Sequence, residues 1–108
     1  MINKNEVYRE IGGIRIGDSY WISSNATWPF AKLKVNRENL IINSPFSELK
    51  FKRANVKFIE KYQGLLWFLG KGIKINHNKL RTSKFIIFWS YNVDNLIQKL
   101  KFLGYKIK

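Results

Sequence analysis

The sequence predicts a mainly β domain: a bent, seven-stranded antiparallel sandwich or barrel capped by one C-terminal α-helix. Three observations carry that prediction. Short segments alternate apolar and polar residues with the period of two that a half-buried strand requires. Clusters of Asn, Ser, Pro and Gly punctuate those segments at the spacing of short turns. A single stretch, close to the C-terminus, has helical spacing instead. The 108 residues show no compositional break, so one domain is expected, with a polar lead over 1–17 and the domain proper over 18–108.

The elements follow in order. "DSYWISS" (18–24) is rich in aromatic and β-branched residues and reads as a short strand. "WPFAKLKVN" (28–36) alternates, with Phe30, Leu33 and Val35 expected inward, Lys32 and Lys34 outward, and an irregularity near Pro29 and Ala31. Pro29 lacks an amide proton, which suits a strand start or an edge. A turn at 36–39 leads into a strand at 39–43, and "NSPF" turns the chain again. "ELKFKR" (48–53) points Leu49 and Phe51 in and Lys50 and Lys52 out. "NVKFIEKYQ" (55–63) is expected to place Val56, Phe58 and Tyr62 inside and Lys57, Ile59 and Lys61 outside. "GIKINH" (72–77) sends Ile73 and Ile75 inward, while "KFIIFWS" (84–90) is apolar on both faces and needs cover on both. In "NVDNLIQKLKFLGY", Val93, Leu96, Ile97, Leu100 and Leu103 recur at helical spacing. Asn92 is the expected cap, Asp94 suits the positive first turn, Lys99 and Lys101 suit the negative end, and Gly104 closes it. Phe88 and Trp89 are expected to pack beneath this helix. A terminal helix fits an OB barrel poorly, because that fold inserts its helix between the third and fourth strands.

"NATWPFAKLKVN", then "GIKINH" after a glycine-flanked loop, then "IIFWS" running into a helix that ends in "LGY" resemble a family of small bacterial proteins with a pleckstrin-homology-like (PH-like) fold. The resemblance covers about residues 18–106 and implies the fold just derived. It supplies no catalytic residues, since many members have no assigned activity. Pleckstrin-homology domains that bind inositol phosphates carry basic residues on the first hairpin and a basic pair after its turn. The equivalent segment, "KLKVNRENLI", offers Lys32, Lys34 and Arg37, but Asn39–Leu40–Ile41 replaces the pair and Glu38 adds a negative charge.

Charge is the most informative property of the surface. Twenty Lys and Arg against seven Asp and Glu give a formal net charge of +13 and a pI near 10.2. Such a field favours phosphate-rich partners. Lys, Asn and Ile share A/T-rich codons, so genome composition alone can raise lysine, and the charge by itself names no partner. No cysteine is present, which suits a reducing compartment. The N-terminus reads as no signal peptide and the longest apolar run is too short to span a bilayer. A cytoplasmic protein, at most peripheral to the inner face of the membrane, is expected.

Catalysis finds little support. One histidine, no cysteine, and carboxylates scattered at Asp18, Glu38, Glu48, Glu60 and Asp94 form neither a metal set nor an acid–base pair. "GGIRIG" lacks the strand-to-helix setting of a phosphate loop. His77 is expected to be a strand-end residue hydrogen-bonded to its surroundings. No enzyme activity, cofactor, metal or small-molecule substrate is inferred.

Two candidate interaction sites remain. A basic face is formed if the strands over 28–62 make one meander, bringing together Lys32, Lys34, Arg37, Lys50, Lys52, Lys57 and Lys61, with Ile41 and Ile59 among them. Lysine at outward strand positions also guards against aggregation, and its dominance over arginine disfavours bidentate reading of phosphates or bases. The second is the apolar run Leu65, Leu66, Trp67, Phe68 and Leu69 between Gly64 and Gly70. Core packing, a dimer or partner surface, and membrane insertion beside Lys61 and Lys71 are its three readings. For stacking on single-stranded nucleic acid, Phe51, Phe58, Phe85 and Trp89 are expected inside, which leaves Trp21, Trp28 and Trp67. The leading expectation is a protein-interaction or scaffold module, self-associating or binding a partner. Binding to anionic phospholipid surfaces through the lysine face comes next, and non-specific nucleic-acid binding third.

Overall fold

A computed structural model describes residues 7–17, 23–63 and 70–108 of the chain. Its strands are β1 (Tyr8–Gly17), β2 (Ser23–Val35), β3 (Asn39–Asn43), β4 (Glu48–Lys52), β5 (Val56–Gln63), β6 (Lys71–His77) and β7 (Phe85–Ser90), and the helix α1 spans Val93–Phe102. A single 3₁₀ turn, Arg53–Asn55, separates β4 from β5. All seven strands form one antiparallel sheet in the order β4-β3-β2-β1-β7-β6-β5. The fold is therefore mainly β, a curled half-barrel with a C-terminal helix on its concave side.

The curl follows from what must be buried. One face of each strand carries the apolar set: Ile14, Leu33, Leu40, Phe51, Ile59, Ile73 and Phe88 come from seven different strands and join Leu96 and Leu100 of α1 in one core. A flat sheet of this width leaves its two edges far apart, whereas Phe51 of β4 and His77 of β6 have ring centroids 4.7 Å apart. The helix starts at Asn92, whose Oδ1 accepts from the Asn95 N–H at 3.3 Å. It ends at Gly104, whose φ of +95° suits a residue without a side chain. Beyond it the tail runs along β5: the Ile59 N–H donates to Lys106 O and the Lys108 N–H to Ile59 O, at 2.8 and 2.9 Å. That tail covers the β5 edge of the sheet.

Three sequence expectations change. Residues 8–17, read as a lead, form the central strand, pairing with β2 on one side and β7 on the other. The pair of glycines in "GGIRIG" had weakened its strand signal. Phe30 was expected inside and is 60 % exposed. Gly12 pairs with Ala31 and Ile14 with Ala26, so a single residue of β1 faces the four residues 27–30 of β2. Counted back from Val35 and Leu33, strict alternation puts Ala31 in the core and Phe30 outside with Lys32 and Lys34, and the bulge begins only on the N-terminal side of Ala31. Ile59, expected outside, is fully buried. Val56 faces His77 and Phe58 faces Asn76, so Lys57 is an extra residue and every later side chain of β5 changes face. The strand "DSYWISS" lies largely outside the described residues, apart from the start of β2.

Candidate anion-binding face

The register fixes which charges share a surface. Paired residues of antiparallel neighbours point to the same side of a sheet. Opposite the core side, Arg9 faces Lys34, Lys34 faces Ile41, and Ile41 faces Lys50, which lays one row across β1, β2, β3 and β4. A parallel row runs Ile11, Lys32, Asn43 and Glu48, and Lys52 extends the face opposite Asn39. Arg9, Lys32, Lys34, Lys50 and Lys52 are all exposed. Glu48 is the acidic member of these rows.

Glu10, the residue after Arg9 on β1, is turned away. Glu10 lies on the core side, where its Oε1 accepts from the Tyr8 hydroxyl at 2.7 Å. Burial, reinforced by that bond to the carboxylate, pushes the Tyr8 phenol up to about 12. The opposed pair Arg9 and Lys34 thus has no carboxylate on its own cross-strand row. Like charges directly across a sheet repel by a few tenths of a kcal/mol, on the order of the favourable pairs they replace. A bound polyanion relieves that repulsion.

The predicted set is only partly assembled. Lys32, Lys34, Lys50 and Lys52 come together as expected, and Arg9, unremarked in the sequence because it sat in the supposed lead, joins them. Arg37 lies in the β2–β3 turn with its guanidinium 5.5 Å from the Phe102 ring centroid of α1. Lys57 and Lys61 are not on this face. The 3₁₀ turn carries the chain from one edge of the sheet to the other, so β5 pairs with β6 and not with β4. Past the β5 bulge, Lys61 turns to the helix side and its Nζ stands 3.0 Å from Asp94 Oδ1. The run Leu65–Leu69 and its Trp67 lie outside the described residues.

The aromatics also need correction. Phe51 is buried, as expected, but Trp89 and Phe85 share the outer side of the sheet with Tyr62, whose ring centroid is 5.8 Å from Trp89 and 6.0 Å from Phe85. Phe88 is the β7 aromatic that packs under the helix. Phe58 is half-buried, with Lys108 Nζ 4.8 Å from its ring centroid. Trp28 is 51 % exposed, consistent with its reading as an accessible ring.

His77 is a strand-end residue with hydrogen bonds on both nitrogens. Nδ1 accepts from the Lys79 N–H at 3.1 Å, so the Nε2–H tautomer donates to Ser83 O at 2.7 Å. Burial lowers its pKa, and the cations Lys84 and Lys79 push the same way against the bond to Ser83. Among the described residues no three His, Asp or Glu side chains gather as metal ligands, and no helix is long and apolar enough to cross a membrane.

Comparison with models of known protein families, with curated proteins and with solved structures found no match to this chain.

Proposed function

We propose that this chain is a non-enzymatic, PH-like binding module that docks peripherally on anionic phospholipid surfaces through the outer face of β1–β4. The observation that carries the reading is the row Arg9–Lys34–Ile41–Lys50, flanked by Lys32 and Lys52. Arg9 and Lys34 stand on adjacent strands about 5 Å apart, and Lys50 stands two strands beyond Lys34, about 10 Å away, spacings set by the sheet itself. Ile11 and Ile41 supply apolar contact between the charged heads. Basic residues near an anionic leaflet contribute about 1 kcal/mol each, and the effect fades with salt. A cytoplasmic location, peripheral to the inner face of the membrane, belongs to the same proposal.

Co-sedimentation with vesicles of phosphatidylcholine, alone or mixed with phosphatidylserine, tests it. Binding is expected only with phosphatidylserine, weakening as salt rises. The double substitution Lys34→Gln, Lys50→Gln removes two cations worth about 2 kcal/mol together, roughly a thirtyfold loss. Equal binding by the substituted protein refutes the assignment of the face.

A second reading, a protein-interaction module, is favoured by β4. Among the described residues no strand pairs with its outer edge, whereas the C-terminal tail covers β5. Lys79 Nζ donates to Lys50 O at 2.5 Å, so an added strand would have to displace that lysine from the middle of the edge. Concentration-dependent mass by analytical ultracentrifugation, abolished by Glu48→Pro, which removes an outward-pointing amide of β4 and no bond to β3, is the expected signature.

A further inference from the structure

Among the described residues seven large apolar side chains are exposed, and four of them, Ile11, Trp28, Phe30 and Tyr91, gather where the β2 bulge crosses the outer sheet face. Single exposed apolar residues are ordinary on a protein surface, whereas a gathered set marks a contact site.

The backbone explains the gathering. Gly13 lies in the outward phase of Arg9 and Ile11 on β1, and a Cβ there would stand 2.8 Å from Ala26 O and 3.2 Å from Trp28 N. Only glycine lets the bulge pass so close over the sheet. Residues 27–30 therefore arch over the outer side, and Trp28 reaches the ring of Tyr91, just past the end of β7, with centroids 5.5 Å apart and planes inclined at 74°. The two rings form one wall of a cleft of about 430 Å³, with Trp89 beside them. Phe30 is in phase with Lys32, about 7 Å further along β2, and Ile11 is its diagonal neighbour on β1. Trp28, Phe30 and Tyr91 are each at least half exposed.

The surroundings select the partner. The apolar set borders the two cationic rows directly: Ile11 and Lys32 belong to one row, Arg9 and Lys34 to the next. Among the described residues no carboxylate pairs with Arg9, Lys32 or Lys34. A protein that covered both parts would need carboxylates fitted to these three cations and a hollow shaped to the rings. An anionic bilayer supplies both without a fitted shape. Its charged headgroups meet the rows, and its headgroup–acyl boundary takes Trp and Tyr rings, which are apolar in the body and keep an N–H or O–H in water.

We infer that the β2 bulge is the membrane-inserting element of this domain, with Trp28, Phe30 and Tyr91 in the headgroup–acyl boundary of an anionic bilayer while Arg9, Lys32 and Lys34 lie on its phosphates. The inference rests on the docking proposed for the β1–β4 face. It adds an apolar, salt-resistant part to a salt-sensitive one.

Vesicles of phosphatidylcholine and phosphatidylserine, with part of the phosphatidylcholine brominated along its chains, read insertion through tryptophan fluorescence. Quenching of the wild type is expected, and Trp28→Phe, which keeps a ring but removes the reporter, should abolish most of it. In co-sedimentation, Phe30→Ala combined with Tyr91→Ala should weaken binding about tenfold or more. The salt dependence should stay as steep, because the cations are untouched. All three side chains are solvent-exposed, and unchanged circular dichroism certifies the folds. Wild type that sediments with these vesicles without quenching overturns the insertion and leaves the docking face standing. Quenching that persists in Trp28→Phe, or affinity unchanged in the double variant, does the same. No sedimentation with phosphatidylserine at any salt refutes the docking face itself, and the insertion with it. Concentration-dependent mass that appears without vesicles and vanishes in the double variant also overturns the inference, since the rings then belong to a second copy of the chain.

Discussion

Acidification should destabilise this protein through His77, and the structure sets the sign and the ceiling. The imidazole is 5 % exposed, packed on Phe51, and bonded at both nitrogens as the neutral Nε2–H tautomer. A proton added at Nδ1 points at the Lys79 N–H, a donor against a donor, in a pocket where Lys84 and Lys79 already repel positive charge. The folded-state pKa is therefore below the ordinary value of 6.5. The unfolded chain then binds more protons than the folded one in the window below 6.5. Stability from this residue is fully present above that value and is lost as the pH falls from 6.5 toward the folded-state pKa. With one proton involved, the slope cannot exceed about 1.4 kcal/mol per pH unit. Urea unfolding from pH 7.5 down to 5 measures it, with His77→Gln as the partner curve. Glutamine keeps a donor and an acceptor and removes the titration, at about 1–2 kcal/mol for lost ring packing at neutral pH. Subtracting the curves cancels the carboxylates. A difference that stays constant across the range refutes the reasoning, because the imidazole would then tolerate its charge in place.

Three further perturbations probe the frame that holds the two surfaces. Gly72→Ala drives a Cβ into the Phe88 carbonyl, a backbone atom that cannot step aside, so thermal unfolding should show a loss of about 1–3 kcal/mol or more. Tyr105→Phe leaves Asn36 O without the hydroxyl that reaches it at 2.9 Å, and about 1–2 kcal/mol should vanish in urea unfolding. Burial also raises that phenol above the ordinary tyrosine range, so in an alkaline absorbance titration it should stay protonated at pH values near the ordinary tyrosine pKa of 10. Lys61→Ala removes the ion pair with Asp94, but both side chains are well exposed, and the change should stay below about 0.5 kcal/mol.

Periodicity made the sheet and most of its core legible, because inward and outward residues alternate wherever a ladder is regular. Leu33, Val35, Phe51, Ile73 and Ile75 are buried as that alternation requires, and Lys32, Lys34, Lys50 and Lys52 emerge on one face. The helix was legible for the same reason, through Val93, Leu96 and Leu100. What periodicity cannot register is an extra residue. The bulge at Lys57 reversed the faces of Ile59 and Lys61, and the loop-out over 27–30 shifts the core phase of β2 between Ala26 and Ala31. Pairing across the sheet was hidden as well, since nothing in the local pattern of β5 says that its partner is β6 while β4 stays at the opposite edge. That error had placed Lys57 and Lys61 on the basic face.

The same irregularities that escape a periodic reading are the ones that build binding surfaces. A regular antiparallel ladder presents side chains at even height, so it makes a face for a broad polyanion but no recess for a small ligand. The rows of β1–β4 are regular from Arg9 to Lys50, and they form such a face. Where β1 meets β7, two glycines remove side chains on either side of Trp89 and four residues of β2 crowd opposite one of β1, and a recess appears. Gly13 couples the two features, because the bulge backbone and the indole both press on the position where its Cβ would stand. An alanine there should therefore disturb Trp28 and Trp89 together while leaving the lysine rows in place, which separates the cleft from the face within a single chain.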